Sequence, residues 1–252
     1  MKRLQQFFMK CPLLYCSLRK IYLFFFLKYI RYKDQRNRNK LSELWAKGHF
    51  SKGSNTPENY WNSRNHPHRS FLVEKIDDFA PISSILEVGC NTGPNLHLLA
   101  QKYPGSHIQG VDINPQAVHY GNEWLARENI TNASILTGRA EGLDIFPDKS
   151  FDVVFTDAVL IYVSPEKIEQ VVRDIIRIAR KGLVFMERHD FESSNNTHTT
   201  GTYINGIWIR DYVTLLKQFI PQEQIDVFKI TRDIWPDEGW GKSGALIQVR
   251  VS

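Results

Sequence analysis

The chain has 252 residues, 42% hydrophobic and 23% charged, which suits one large α/β domain with an extension. Its formal net charge of +5 is unevenly spread. Residues 1–40 hold eleven Lys/Arg against Asp34 alone, whereas residues 41–252 hold 21 basic and 26 acidic side chains, a net of −5. The basic character therefore belongs to an arm, which argues against a nucleic-acid partner for the domain. Three cysteines (Cys11, Cys16, Cys90) form no disulfide framework, and no Cys/His spacing predicts a metal site.

Within residues 1–40, Leu4, Phe8, Cys11, Tyr15, Leu18, Tyr22 and Phe25 fall at three- and four-residue spacing, as on one helix stripe. The longest uncharged run from residue 11 on ends at Leu18, far short of the roughly 20 residues of a membrane span. Neither an uncharged core nor a small-residue cleavage site marks a leader. A basic amphipathic helix of this kind serves an anionic membrane surface, or it packs on its own domain or on a second subunit. The composition leaves both open, together with the oligomeric state. The expected location is cytoplasmic, or peripheral on the inner face of a membrane through residues 1–40. Residues 41–59 read as a polar linker around a short helix near 41–47, and residues 60–252 as the domain.

In the domain, Phe71, Leu72, Ile76 and Phe79 mark a helix before the first strand. Strand 85–88 precedes a helix at 95–102, strand 107–111 a helix at 115–128, and strand 133–137 a polar loop through Lys149. Strand 151–156 leads to a helix at 165–179 with Ser164 as its N-cap, and strand 183–187 follows Gly182. After a polar stretch, 189–205, a helix is expected at 209–219 and two strands at 225–231 and 245–251. The loop between those two strands is too short for a helix crossover, so they should pair antiparallel. The pattern predicts a doubly wound, Rossmann-like sheet of seven strands, mostly parallel, with a C-terminal antiparallel pair and an N-terminal helical arm.

The first strand breaks at Gly89 into Gly89-Cys90-Asn91-Thr92-Gly93 and then a helix, which aims backbone N–H groups and a positive helix end at a ligand. Asn91 and Pro94 stand where the dinucleotide fingerprint needs its second and third glycines. Gly241-Lys242-Ser243 matches the tail of a phosphate loop, but Pro236 replaces its first glycine.

The E-V-G-C-N-T-G loop, V-D-I-N-P after the second strand and F-P-D-K-S-F-D-V-V-F entering the fourth resemble the class I S-adenosylmethionine-dependent methyltransferases, nearest the group with a methyltransferase type 11-like domain acting on small molecules, lipids and sugars. The resemblance spans roughly residues 60–252. It implies S-adenosylmethionine as cofactor, with Gly89, Cys90, Asn91 and Gly93 around its methionine end and Glu87 supporting the loop and the amino group. It further implies Asp112 on the ribose hydroxyls, Ile113 on adenine, Arg139, Ala140 and Glu141 at the adenine edge, and Asp157 with Ala158 toward the sulfonium. Arg139 stands where the family commonly has Asp. Tyr60 and Arg69 (or Arg64) resemble residues that meet the cofactor carboxylate.

An oxygen acceptor also needs a base. Candidates follow the fourth and fifth strands: His189 first, then Asp157 and Tyr162, with Glu187 and His198 behind them. Thr156-Asp157-Ala158-Val159 lacks the Asn/Asp-Pro-Pro-Tyr of base-amino methylation, so no nucleic acid is expected. Trp235 and Trp240 suit stacking on a ring or packing in the core. The expected activity is methyl transfer to a small-molecule, lipid-linked or sugar acceptor at oxygen. The alternative is a non-catalytic S-adenosylmethionine-binding scaffold or regulatory subunit.

Overall fold

The structure, a computed structural model, describes residues 40–47, 56–192 and 201–251. The arm expected at residues 1–40 lies outside the described residues except for Lys40, and so does His198. Helix α1 (Lys40–Ala46) matches the short helix expected in the linker. Helices α2 (Pro57–Asn62) and α3 (Pro67–Asp77) come before the first strand, and Pro occupies the first turn of each, where its missing N–H costs nothing.

Strands β1 (Ser84–Val88), β2 (His107–Asp112), β3 (Ala133–Thr137) and β4 (Phe151–Asp157) alternate with α4 (Pro94–Lys102) and α5 (Pro115–Arg127). Then come α6 (Ile168–Ile178) and β5 (Ala179–Arg188), the hairpin β6 (Thr202–Ile204) and β7 (Ile207–Ile209), α7 (Tyr212–Leu216), β8 (Ile225–Lys229), α8 (Glu238–Ser243) and β9 (Gly244–Arg250). The seven-stranded sheet runs β3-β2-β1-β4-β5-β9-β8. All pairs from β3 to β5 are parallel, and β9 runs antiparallel to both β5 and β8. The sheet is as expected.

Side-chain alternation divides the core into two layers. Ile85, Val153, Phe155, Val184, Met186 and Leu246 face the cluster built with α3, α4 and α5. Their neighbours Leu86, Val88, Val154, Leu183, Phe185 and Ile247 face the cluster built with α6 and α7. Parity sorts the polar groups in the same way. Glu87 and Asp157 belong to the first face, and Asn95 Nδ2 donates to both, at 2.7 and 3.0 Å. Thr156 and Glu187 belong to the second, where Thr156 Oγ1 donates to Glu187 at 2.8 Å.

Five local expectations are corrected. The helix expected at 165–179 begins at Ile168, so Ser164 is not its side-chain cap; the Ser164 carbonyl instead accepts from the amides of Lys167 and Ile168. Strand β5 starts before Gly182, where a Cβ would stand 2.0 Å from the Phe79 ring, so the glycine admits that ring onto the sheet. The polar stretch 189–205 contains a strand of the β6–β7 hairpin, turned by Asn205 and Gly206 with φ of 51° and 92°, the left-handed pair that a two-residue hairpin favours. This hairpin shortens the following helix to Tyr212–Leu216, capped by Asp211. A six-residue helix, α8, does fit between β8 and β9, with Asp237 accepting from the Trp240 amide at 2.9 Å. Among the described residues no helix is long and apolar enough to cross a membrane.

Candidate active site

The chain reverses its winding between β1 and β4, the switch point where open sheets bind ligands beyond the strands' C-terminal ends. A cavity of about 480 Å³ opens there. One wall is the β1 loop with Glu87, Gly89, Cys90 and Asn91, joined by Asp112, Ile113, Arg139, Ala140 and Glu141. The other carries Tyr60, His66, His68, Arg69, Asp157, Tyr162, Trp235 and Trp240. Of the described residues expected at the site, Gly93, His189, Glu187 and Arg64 are not brought to the lining.

Gly89 turns the loop at φ +79°, a region L side chains rarely adopt, and a Cβ there would stand 2.2 Å from Val159 Cγ2. Its amide and that of Cys90 donate to the Val111 carbonyl, tying the loop to the end of β2. Gly93 shapes the same loop from behind, as the left-handed residue before α4. Asp112 accepts from the backbone amides of Asn91 and Asn114 at 2.7 and 2.8 Å. Burial outweighs those two bonds and pushes its carboxyl up to about 6. Burial likewise pushes Glu87 up to about 8 and holds the Cys90 thiol well above its usual value, as befits an inert buried cysteine. At the adenine-edge segment, Glu141 pairs with Lys167 at 2.9 Å and with Arg139 at 3.6 Å.

The opposite wall centres on Asp157. Its Oδ2 accepts from His68 Nε2 at 3.0 Å, Arg69 at 3.3 Å and Asn95 at 3.0 Å. Burial alone would raise this carboxyl, but the His68 and Arg69 partners hold it well below the usual carboxylate range. Arg69 is fixed by Asn95 and by Ser63. Tyr60 and Tyr162 both meet the Trp45 ring at 6.0 Å, and burial raises both phenols. Arg64 turns away, donating to the Trp61 carbonyl and lying over that ring.

His66 and His68 contact each other through Nδ1, and Trp235 lies between His68 and Trp240 at ring separations of 4.0 and 3.9 Å. Both faces of Trp235 are thus covered, so it is an internal clamp and offers no stacking face to a ligand. Neither histidine was identified from the sequence. The signal available was the cluster His66-Pro67-His68-Arg69 opening a helix.

His189 is buried, and its Nδ1 accepts from the Tyr212 amide at the start of α7, at 3.3 Å. Glu187 is buried too: it accepts from Thr156 and from the amides of Val159, Leu160 and Ile161 at 2.8–3.3 Å. It anchors the loop after β4 instead of lining the cavity.

Residues 85–182 match the model of a methyltransferase domain. A malonyl-[acyl-carrier protein] O-methyltransferase of Ilyobacter polytropus is 28% identical over 46% of this chain and 42% of its own. A 2-methyl-6-phytyl-1,4-hydroquinone methyltransferase of Synechocystis is 31% identical over 42% of this chain and 32% of its own. The chain therefore spans less than half the length of these relatives. The solved magnesium protoporphyrin IX methyltransferase of Synechocystis shares the fold, with a TM-score of 0.57 over 86% of this chain and 97% of that one at 12% identity. Residues 85–182 thus carry a methyltransferase domain, and the sheet around them has the fold of the class I S-adenosylmethionine-dependent enzymes.

The residues present fit that cofactor. Glu87 Oε2, Asn91 Oδ1 and Asp157 Oδ1 are buried oxygens without hydrogen-bond partners, all on residues lining the cavity. A ligand bearing an ammonium and a sulfonium supplies what such acceptors lack. Among the described residues no cluster of His, Cys, Asp and Glu could hold a metal.

Proposed function

We propose that this chain transfers the methyl group of S-adenosylmethionine to a hydroxyl oxygen of a small-molecule, lipid-linked or sugar acceptor. The observation that carries the reading is the single cavity whose one wall has unsatisfied acceptors for a cationic cofactor and whose other wall has imidazole and phenol side chains. Glu87, Asn91 and Asp112 would hold the cofactor, with Tyr60 and Arg69 toward its carboxylate and Ile113, Arg139, Ala140 and Glu141 along its adenine. Bound there, S-adenosylmethionine supplies an electrophilic methyl on sulfur. The chain's own part is to align the acceptor in line with that methyl and exclude water, and alignment can contribute ~7–11 kcal/mol.

Asp157, held strongly acidic, is a poor proton acceptor and serves as a fixed negative charge near the sulfonium. Tyr162, its phenol raised by burial, stays protonated at neutral pH and would donate a hydrogen bond. The names of the matched relatives, which include a carrier-linked ester former and a phytyl-hydroquinone enzyme, support acceptors with an apolar or tethered body. The basic aromatic stripe in residues 1–40 would draw the protein to an anionic membrane where such acceptors reside. Deleting residues 1–40 should then abolish sedimentation with anionic liposomes, and unchanged partitioning would refute this membrane role.

The central test is binding of labelled S-adenosylmethionine followed by methyl release into the lipid, glycan and small-molecule fractions of a cell extract. Labelled product in one fraction is expected. Binding without product in any fraction would establish the non-catalytic scaffold instead.

A further inference from the structure

We propose that Asp157, His68 and His66 form a hydrogen-bonded relay that makes His66 the general base for the acceptor hydroxyl, with Trp235 as the residue that positions it. This rests on the reading of the site as one for methyl transfer to oxygen.

The proton positions follow from the partners. Asp157 is ionised and can only accept, so His68 Nε2 carries a hydrogen, donated over 3.0 Å. The proposed relay keeps the ring hydrogen of His68 on Nε2, which leaves its Nδ1 as an acceptor. That acceptor faces His66 Nδ1 at hydrogen-bonding contact, and two lone pairs would repel there, so His66 Nδ1 carries the second hydrogen. His66 Nε2 is left with a free lone pair. His68 is 4% exposed, whereas His66 is only partly buried and lines the cavity, so His66 is the member of the relay that an acceptor can reach.

Trp235 fixes the plane of the inner imidazole. Its ring stacks on His68 at 22° and also meets His66 at 5.5 Å, while Trp240 backs it at 6°. The charged and titratable groups facing the pair are Arg69 and Asp157. Burial, then His68 and Arg69, lower the pKa of His66 against the opposing pull of Asp157. The base is therefore free at neutral pH.

The step balances. The acceptor O–H proton passes to His66 Nε2, the oxygen forms a bond to the methyl carbon, and the sulfur–methyl bond breaks with its electron pair kept on sulfur. Products are the methyl ether or ester, a neutral thioether and the His66 imidazolium. The imidazolium Nδ1–H stays donated to His68, whose Nε2–H stays donated to Asp157, so the new positive charge is coupled to a fixed carboxylate two rings away.

Histidine-labelled NMR of the full chain tests the relay without any acceptor. At neutral pH the nitrogen shifts should show His66 as the Nδ1–H tautomer and His68 as the Nε2–H tautomer, with His66 titrating below the usual range. A His66 Nε2–H tautomer, or a doubly protonated His68 at neutral pH, would overturn the proposal. In His66→Gln, S-adenosylmethionine affinity by calorimetry should stay within about twofold while labelled-methyl transfer falls at least ~100-fold, the usual scale of a lost base. Retained transfer by this variant would sink the relay alone, whereas a native chain that neither binds nor transfers would sink the methyltransferase reading itself.

Discussion

The two walls of the cavity are built in different ways. The cofactor wall is local: a glycine turn, the end of the next strand and the segment after β3, with Asp112 clasped by two backbone amides. The opposite wall is assembled from distant pieces: Trp45 in α1, residues 60–69 before the first strand, Asp157 at the end of β4, and Trp235 between β8 and β9. Backbone geometry fixes the first, and side-chain stacking and ion pairing fix the second. The first should therefore tolerate few substitutions at any loop position. At His66, His68 and Trp235 the second should lose methyl transfer through geometry while cofactor binding survives, whereas Tyr60, Arg69 and Asp157 of that wall also face the cofactor.

The strongest way to break this contrast is Gly89→Val. A β-branched side chain at φ +79° whose Cβ meets Val159 should weaken S-adenosylmethionine binding ~100-fold or more, about 2.7 kcal/mol by calorimetry. Adding Val159→Ala should recover part of that loss, because it removes the clash and leaves the backbone strain. Next, Asp112→Ala should weaken binding at least about tenfold, near 1.4 kcal/mol, with the His66 and His68 signals unmoved. An unaltered affinity would refute the ribose assignment.

On the other wall, Trp235→Ala removes two ring stacks and should lower stability in urea by about 1–3 kcal/mol, with cofactor affinity kept within about twofold and methyl transfer reduced. A large loss of affinity would mean that the walls are not separable. The smallest signal concerns Glu87, raised from 4.5 to about 8 and so protonated at pH 7 in the free protein. A cationic ligand beside it favours the carboxylate, so binding at pH 7 should release up to about one proton, read from the buffer dependence of the calorimetric heat. The release should vanish near pH 9, where Glu87 is already ionised, and in Glu87→Gln at any pH.

The same contrast explains what could be read from the sequence. Strand–helix alternation gave the sheet and its order of elements, and the motif resemblance implied cofactor roles for Glu87, Gly89, Asn91 and Asp112, all of which line the cavity. His66 and His68 escaped because their meaning depends on Asp157, 89 residues beyond His68, and on a tryptophan from the far end of the domain. His189 drew attention because it follows a core strand, but its ring accepts from the Tyr212 amide at the start of α7 and its own amide donates to the Ser243 carbonyl at the end of α8, which hold it buried. The β6–β7 hairpin was visible in principle as Asn205-Gly206, and the polar residues around that pair masked it.

The Glu187 carboxylate has a further consequence. Burial pushes it up to about 7, against the backbone and hydroxyl bonds that favour its charge. Three successive amides converge on it much as a nest of amides grips an anion. The protein thus carries its own internal guest, and the turn after β4 is moulded around a group that never leaves. That turn supplies Ala158, Val159, Ile161 and Tyr162 to the cavity, so its shape is inherited from the sheet and is not negotiated with each ligand. Diversity in what such a domain accepts would have to come from the segments that have no such guest: the stretch before β1 and the connection between β8 and β9.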